Sequence, residues 1–121
     1  MAVTISMRAN IGVNAGYFHQ NSSQPDFYSL LQQTAGEIYR ETGVYVSCLA
    51  YPVKAIYHTD WGCPAGGENT YNIESVANPE FVPDVQAWKS ASLKLMQAMK
   101  GKLKQSTLTV QFQEAELEYL K

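Results

Sequence analysis

The stretch His58-Thr59-Asp60-Trp61-Gly62-Cys63-Pro64-Ala65-Gly66-Gly67-Glu68 lies between two runs that read as strands. Its three glycines and one proline punctuate the chain and forbid a regular element. Upstream, Val44 to about Tyr57 is rich in β-branched and aromatic residues, and downstream Tyr71, Ile73 and Ser75 alternate. The middle of the chain is therefore strand, loop, strand. Pro52 cannot donate to a ladder, so the first of these strands is an edge or bends there.

Working outward, Phe27, Leu30, Leu31, Thr34, Ala35 and Ile38 form one apolar stripe at helical spacing. Asp26 is a natural N-cap and Gly43 a natural stop, which bounds a helix from Phe27 to about Thr42. Ahead of it, Val3, Ile5, Met7, Ala9, Ile11 and Val13 alternate with smaller or polar residues, the period of a half-buried strand. Beyond Asn78-Pro79, Pro83 suits the first turn of a second helix, which carries Val85, Trp88, Leu95, Met96, Met99 and Leu103 and ends near Gln105. A last strand starts at Thr107 with Leu108, Val110 and Phe112 on one face. Its phase then slips, because Ala115, Leu117 and Tyr119 fall on the other face, which implies a bulge or a strand that pairs elsewhere.

The order is β-α-β-β-α-β, the ferredoxin-like arrangement: an α+β fold with a four-stranded antiparallel sheet and two helices on one face. With 121 residues and no repeat or low-complexity segment, residues 1–121 read as one α+β domain. The free sheet face would show Tyr45, Leu49 and Tyr51 beside Arg8, Asn10, Thr109 and Gln111. That mixed surface points to a homo-oligomer, assembled through the exposed sheet face or the C-terminal strand.

A formal charge of −2 and the lack of paired aromatics in a basic surround argue against nucleic acid. Lys89, Lys94, Lys100, Lys102 and Lys104 read as a solvated helix face. No apolar run reaches the roughly 20 residues of a membrane span, and the first residues lack the pattern of a secretion signal, so the expectation is a cytoplasmic protein with no membrane partner. Cys48 and Cys63 suit a reducing compartment. No cofactor and no metal is indicated, since the spacing of His58, Asp60, Cys63 and Glu68 matches no zinc pattern and the glycine-rich phosphate motifs are absent.

Alternating strand directions bring residues 14–26 and 58–69 to the same end of the sheet. There Tyr17, His19, Asn21, His58 and Trp61 are the candidate ligand-binding residues. His58, Asp60, Cys63 and Glu68 are the candidate catalytic ones, combining an imidazole, two carboxylates and a thiol. The backbone amides that open the first helix would favour an anion. Two readings follow. The first is a small oligomeric binding or assembly protein that holds a small polar or anionic ligand between the loops. The second is a small hydrolytic or proton-transferring enzyme using His58 with Asp60 or Glu68, and Cys63 as nucleophile or bystander.

Overall fold

The computed structural model describes residues 2–13 and 26–121. Strand β1 (Ala2–Gly12) leads to helix α1 (Phe27–Thr42), strands β2 (Leu49–Ala55) and β3 (Glu68–Val76), helix α2 (Val85–Lys102) and strand β4 (Thr109–Leu117). The four strands form one antiparallel sheet in the order β2-β3-β1-β4, which is the ferredoxin-like topology. Met7, Ala9 and Ile11 of β1 and Ile73 of β3 face the helices. They close a core with Phe27, Leu31, Ala35 and Ile38 of α1 and with Trp88, Leu95, Met96 and Met99 of α2. Phe27 stacks on Tyr71 at 4.0 Å between ring centroids, pinning the start of α1 to β3. No helix among the described residues is long and apolar enough to cross a membrane.

Helix α1 has the expected ends. The Asp26 side chain accepts the Tyr28 N–H, and Gly43 sits at φ 78° with its N–H donated to the Tyr39 carbonyl. A methyl group on Gly43 would meet nothing within 4 Å, so a substitution there carries only the backbone cost of a left-handed residue. Gly43→Ala is expected to lower stability by about 1 kcal/mol, read as a shift of the urea midpoint with no change in slope.

Several boundaries differ from the sequence reading. Strand β2 begins at Leu49 rather than Val44, because the preceding segment is held by the Ser75 hydroxyl donating to the Ser47 carbonyl instead of by a ladder. Tyr45 therefore does not join the free sheet face; it packs edge-on against Tyr39 of α1, 6.0 Å between centroids. Pro52 falls on an edge strand, where its missing donor costs nothing. Asp84 caps α2 through the amides of Gln86 and Ala87, so Pro83 stands outside the first turn. The same helix stops at Lys102, where Lys104 turns left-handed at φ 54° and the Gln105 amide closes back onto the Lys100 carbonyl.

No bulge interrupts β4. It pairs with β1 in unbroken register from Ala2↔Leu117 to Asn10↔Thr109. The slip in its pattern is shared by β1, in which Thr4 is buried and Val3 is 67% exposed although Met7, Ala9 and Ile11 keep the opposite phase. Just past β3, Ala77 continues the ladder, its N–H donating to the Ile5 carbonyl and its carbonyl accepting the Thr4 hydroxyl. Both strands change their buried side together, so the register survives.

Candidate active site at the end of the sheet

Where β1 and β2 end and β3 and β4 begin, the surface opens into a cleft of about 400 Å³. Its walls are Asn10 and Gly12 of β1, Ala55 and Tyr57 at the end of β2, Trp61, and Glu68 and Thr70 of β3. The far side is the α2–β4 connection, Gln105 to Leu108, with Thr109. A volume of this size suits a small molecule.

Among the described residues that line the cleft, Glu68 is the only Asp, Glu, Lys, Arg or His. One of its oxygens, Oε1, accepts the Tyr57 hydroxyl at 2.6 Å, which fixes the carboxylate. The other oxygen leans over Gly12: a methyl group on that glycine would lie 2.8 Å from Glu68 Oε2 and 2.5 Å from Gln105 Oε1. Gly12 is thus needed for space, not for a special backbone angle. Asn10 donates to Thr70 Oγ1 and Asn72 Oδ1, both at 2.9 Å. From there a polar chain continues over the open sheet face, Asn72 to the Tyr51 hydroxyl, Tyr51 to Glu74, and Glu74 beside Arg8. This network stiffens the floor of the cleft.

Of the sequence candidates, Glu68 and Trp61 line the cleft. Trp61 is 71% exposed at its rim, so it is no lid on the core. His58 stands beside Trp61 but not in the lining. Its Nδ1 accepts the Asp60 N–H at 3.0 Å and caps a single 3-10 turn, Thr59–Trp61. Asp60 projects into solvent, with Oδ2 3.7 Å from His58 Nδ1. Cys63 is buried, its thiol turned to the Ala55 and Pro64 carbonyls. Gly66 and Gly67 are left-handed residues of a turn closed by Gly67 N–H on the Pro64 carbonyl. Cys48, also a free thiol, has its pKa pushed up to about 12 by burial, which keeps it protonated. Among the described residues, no group of three His, Cys, Asp or Glu side chains could hold a metal. Tyr17, His19 and Asn21 lie outside the described residues.

The helix N-terminus already carries its own anion, since the Asp26 carboxylate accepts from Tyr28 N–H and from the Ser29 hydroxyl. The lining residues that the sequence reading passed over are Asn10, Gly12, Tyr57, Thr70 and Gln105–Thr109. The direction argument that placed 14–26 and 58–69 together also places the α2–β4 connection at this end, and that signal was available.

A family model described as SAM lyase matches residues 2–121, nearly the whole chain. The chain belongs to the SAM lyase family. Two solved structures share its fold. A phage SAM lyase in its apo state superposes with a TM-score of 0.63 at 18% identity, over 93% of this chain and 81% of the other. A phage SAM lyase in complex with S-methyl-5'-thioadenosine superposes with a TM-score of 0.59, also at 18% identity, over 92% and 81%. No curated protein matches the chain.

Proposed function

We propose that this protein cleaves S-adenosylmethionine into S-methyl-5'-thioadenosine and a four-carbon amino-acid fragment, with the reaction housed in the cleft around Glu68. The observation that carries this reading is a carboxylate, the one charge of the described lining, fixed by Tyr57 and flanked by an exposed tryptophan, in a small-molecule cleft of a SAM lyase family member. S-Adenosylmethionine carries a sulfonium and an ammonium against one carboxylate. A cleft whose described lining holds one anion and no cation suits that net positive charge better than an anion.

Release of S-methyl-5'-thioadenosine requires scission of the bond between sulfur and the γ-carbon of the amino-acid chain. Without water as a reactant, the four-carbon fragment has two ways to leave. In one, an oxygen of the substrate's own carboxylate attacks the γ-carbon: a C–O bond forms, the C–S electron pair returns to sulfur, and a five-membered lactone departs with its ammonium intact. No proton moves. In the other, a base removes a β-hydrogen and an unsaturated amino acid forms. That hydrogen is not acidic, and no group in the described lining is a strong base, so ring closure is favoured. Holding nucleophile and carbon in one geometry supplies the rate through effective molarity, worth ~7–11 kcal/mol in well-oriented intramolecular reactions.

Charge is annihilated in this step, as a carboxylate and a sulfonium become a neutral ester and a thioether. A carboxylate placed against the sulfonium would stabilise the ground state more than the transition state. Glu68 is therefore assigned to the substrate's ammonium, whose charge does not change. Pairing there frees the substrate carboxylate from its own ammonium. Trp61 and the Tyr57 ring offer aromatic faces to the sulfonium and the adenine. Homo-oligomerisation through the open sheet face, where Leu49 is 72% exposed, belongs to the same reading.

Isotope labelling tests the bond that forms. Turnover in H₂¹⁸O, quenched early, is expected to give an unlabelled lactone that gains label only as it opens. Label in the first product would mean direct hydrolysis, and an unsaturated amino acid would mean elimination.

A further inference from the structure

Trp61 reaches the cleft from a single 3-10 turn, Thr59–Trp61, none of whose residues is buried. Little apolar packing holds the indole, so its place at the rim depends on the local bonds of the turn. At the far end Gly62 turns left-handed at φ 102° and donates its N–H to the Thr59 carbonyl at 3.0 Å. At the near end His58 takes two amides: its carbonyl accepts the Trp61 N–H at 2.9 Å and its Nδ1 accepts the Asp60 N–H at 3.0 Å. The same imidazole lies beside the indole, 5.7 Å between centroids and tilted by 43°. His58 thus touches both the backbone and the ring of a cleft residue while standing outside the lining itself.

We propose that His58 is a positioning residue: it holds the Trp61 indole at the rim as a platform for the thioadenosine half of the ligand, and its imidazole is neither acid nor base in the reaction. This rests on the lyase reading of the cleft. The flat apolar face of an indole matches a purine in size and chemistry, and such a stack is worth roughly 5–100-fold in affinity. Substrate and product share the thioadenosine half. A platform for it therefore binds ground state and transition state alike, and weakening it raises KM while kcat stays. An acid–base role predicts a fall in kcat instead. Nδ1 acts toward Asp60 as a helix cap does, by accepting a backbone N–H. Asparagine offers an oxygen from the same position and is among the preferred N-caps, so it can replace the cap without the imidazole.

The experiment pairs calorimetry on S-methyl-5'-thioadenosine with steady-state kinetics on S-adenosylmethionine, each variant checked by a thermal melt. His58→Ala is expected to raise the Kd and the KM together by ~5-fold, the scale of a lost cap, with kcat unchanged. His58→Asn is expected to recover most of that loss. Trp61→Ala is expected to raise both constants by ~10-fold, and adding His58→Ala to it should change nothing further, since the two act on one contact. A further loss in the double variant, or a Kd unmoved by His58→Ala, overturns the assignment. So does a fall in kcat that His58→Asn shares, and that variant decides the point alone if His58→Ala does not fold. Should the wild-type protein neither cleave S-adenosylmethionine nor bind S-methyl-5'-thioadenosine, the lyase reading fails and the platform falls with it. Cleavage and binding that ignore His58→Ala remove only the role of His58.

Discussion

Glu68→Gln is expected to lower kcat/KM for S-adenosylmethionine by ~10²-fold or more, the scale seen when one preorganised electrostatic contact is removed from a reacting site. The substitution keeps the shape of the side chain and still offers an oxygen to the Tyr57 hydroxyl, so folding should be undisturbed. What it removes is the only charge in the described lining of the cleft. With Glu68 neutral, the substrate's ammonium loses its counter-charge and pairs instead with its own carboxylate, the group that must attack. The loss should therefore appear in kcat as well as in KM. Steady-state kinetics beside a thermal melt checks it: a melt within a few degrees of wild type and a kcat that is unchanged would exclude Glu68 from the reaction.

The second large effect comes from a residue with no side chain. In Gly12→Ala the new methyl would lie 2.5 Å from Gln105 Oε1 and 2.8 Å from Glu68 Oε2, closer than a carbon can sit to either. Both atoms are the ends of side chains, so they swing aside and the strand stays in place. Stability should change little, and alanine is the better-ordered residue within a strand. Activity should fall by ~10–100-fold, because displacing a binding group by about 1 Å can cost that much in rate. A melt together with turnover separates the two. A variant that is as active as wild type would show that the space over Gly12 is not part of the site. Gly12→Ala combined with Glu68→Gln should be little worse than Glu68→Gln alone, since both act on the same contact.

The fold was legible because each helix is bounded by residues with one strong local use. Asp26 and Gly43 act where the sequence puts them, and the alternation of Met7, Ala9 and Ile11 survives as the buried side of β1. The phase slip in β4 misled because a single strand cannot reveal that its neighbour slips with it; only the pairing Thr4↔Ala115 shows that both change their buried side together. The candidate site was half legible. The end of the sheet that carries the cleft followed from strand direction, and of the residues singled out there Glu68 and Trp61 line it. Density of reactive groups in the 58–68 loop drew attention to His58, Asp60 and Cys63, yet a turn consumes them: His58 caps it, Asp60 points to water and Cys63 is packed beneath. Tyr57 and Gln105 carry no such signal. A tyrosine closing a strand and a glutamine past a helix end are ordinary until Glu68 is seen between them.

The most direct test of the central claim is to incubate the purified protein with S-adenosylmethionine and follow S-methyl-5'-thioadenosine by chromatography and mass spectrometry. The account predicts catalytic formation of that thioether, many equivalents per protein, matched mole for mole by the four-carbon lactone or its ring-opened acid. Intact S-adenosylmethionine after prolonged incubation at high protein concentration, with no binding of S-methyl-5'-thioadenosine by calorimetry, would contradict it.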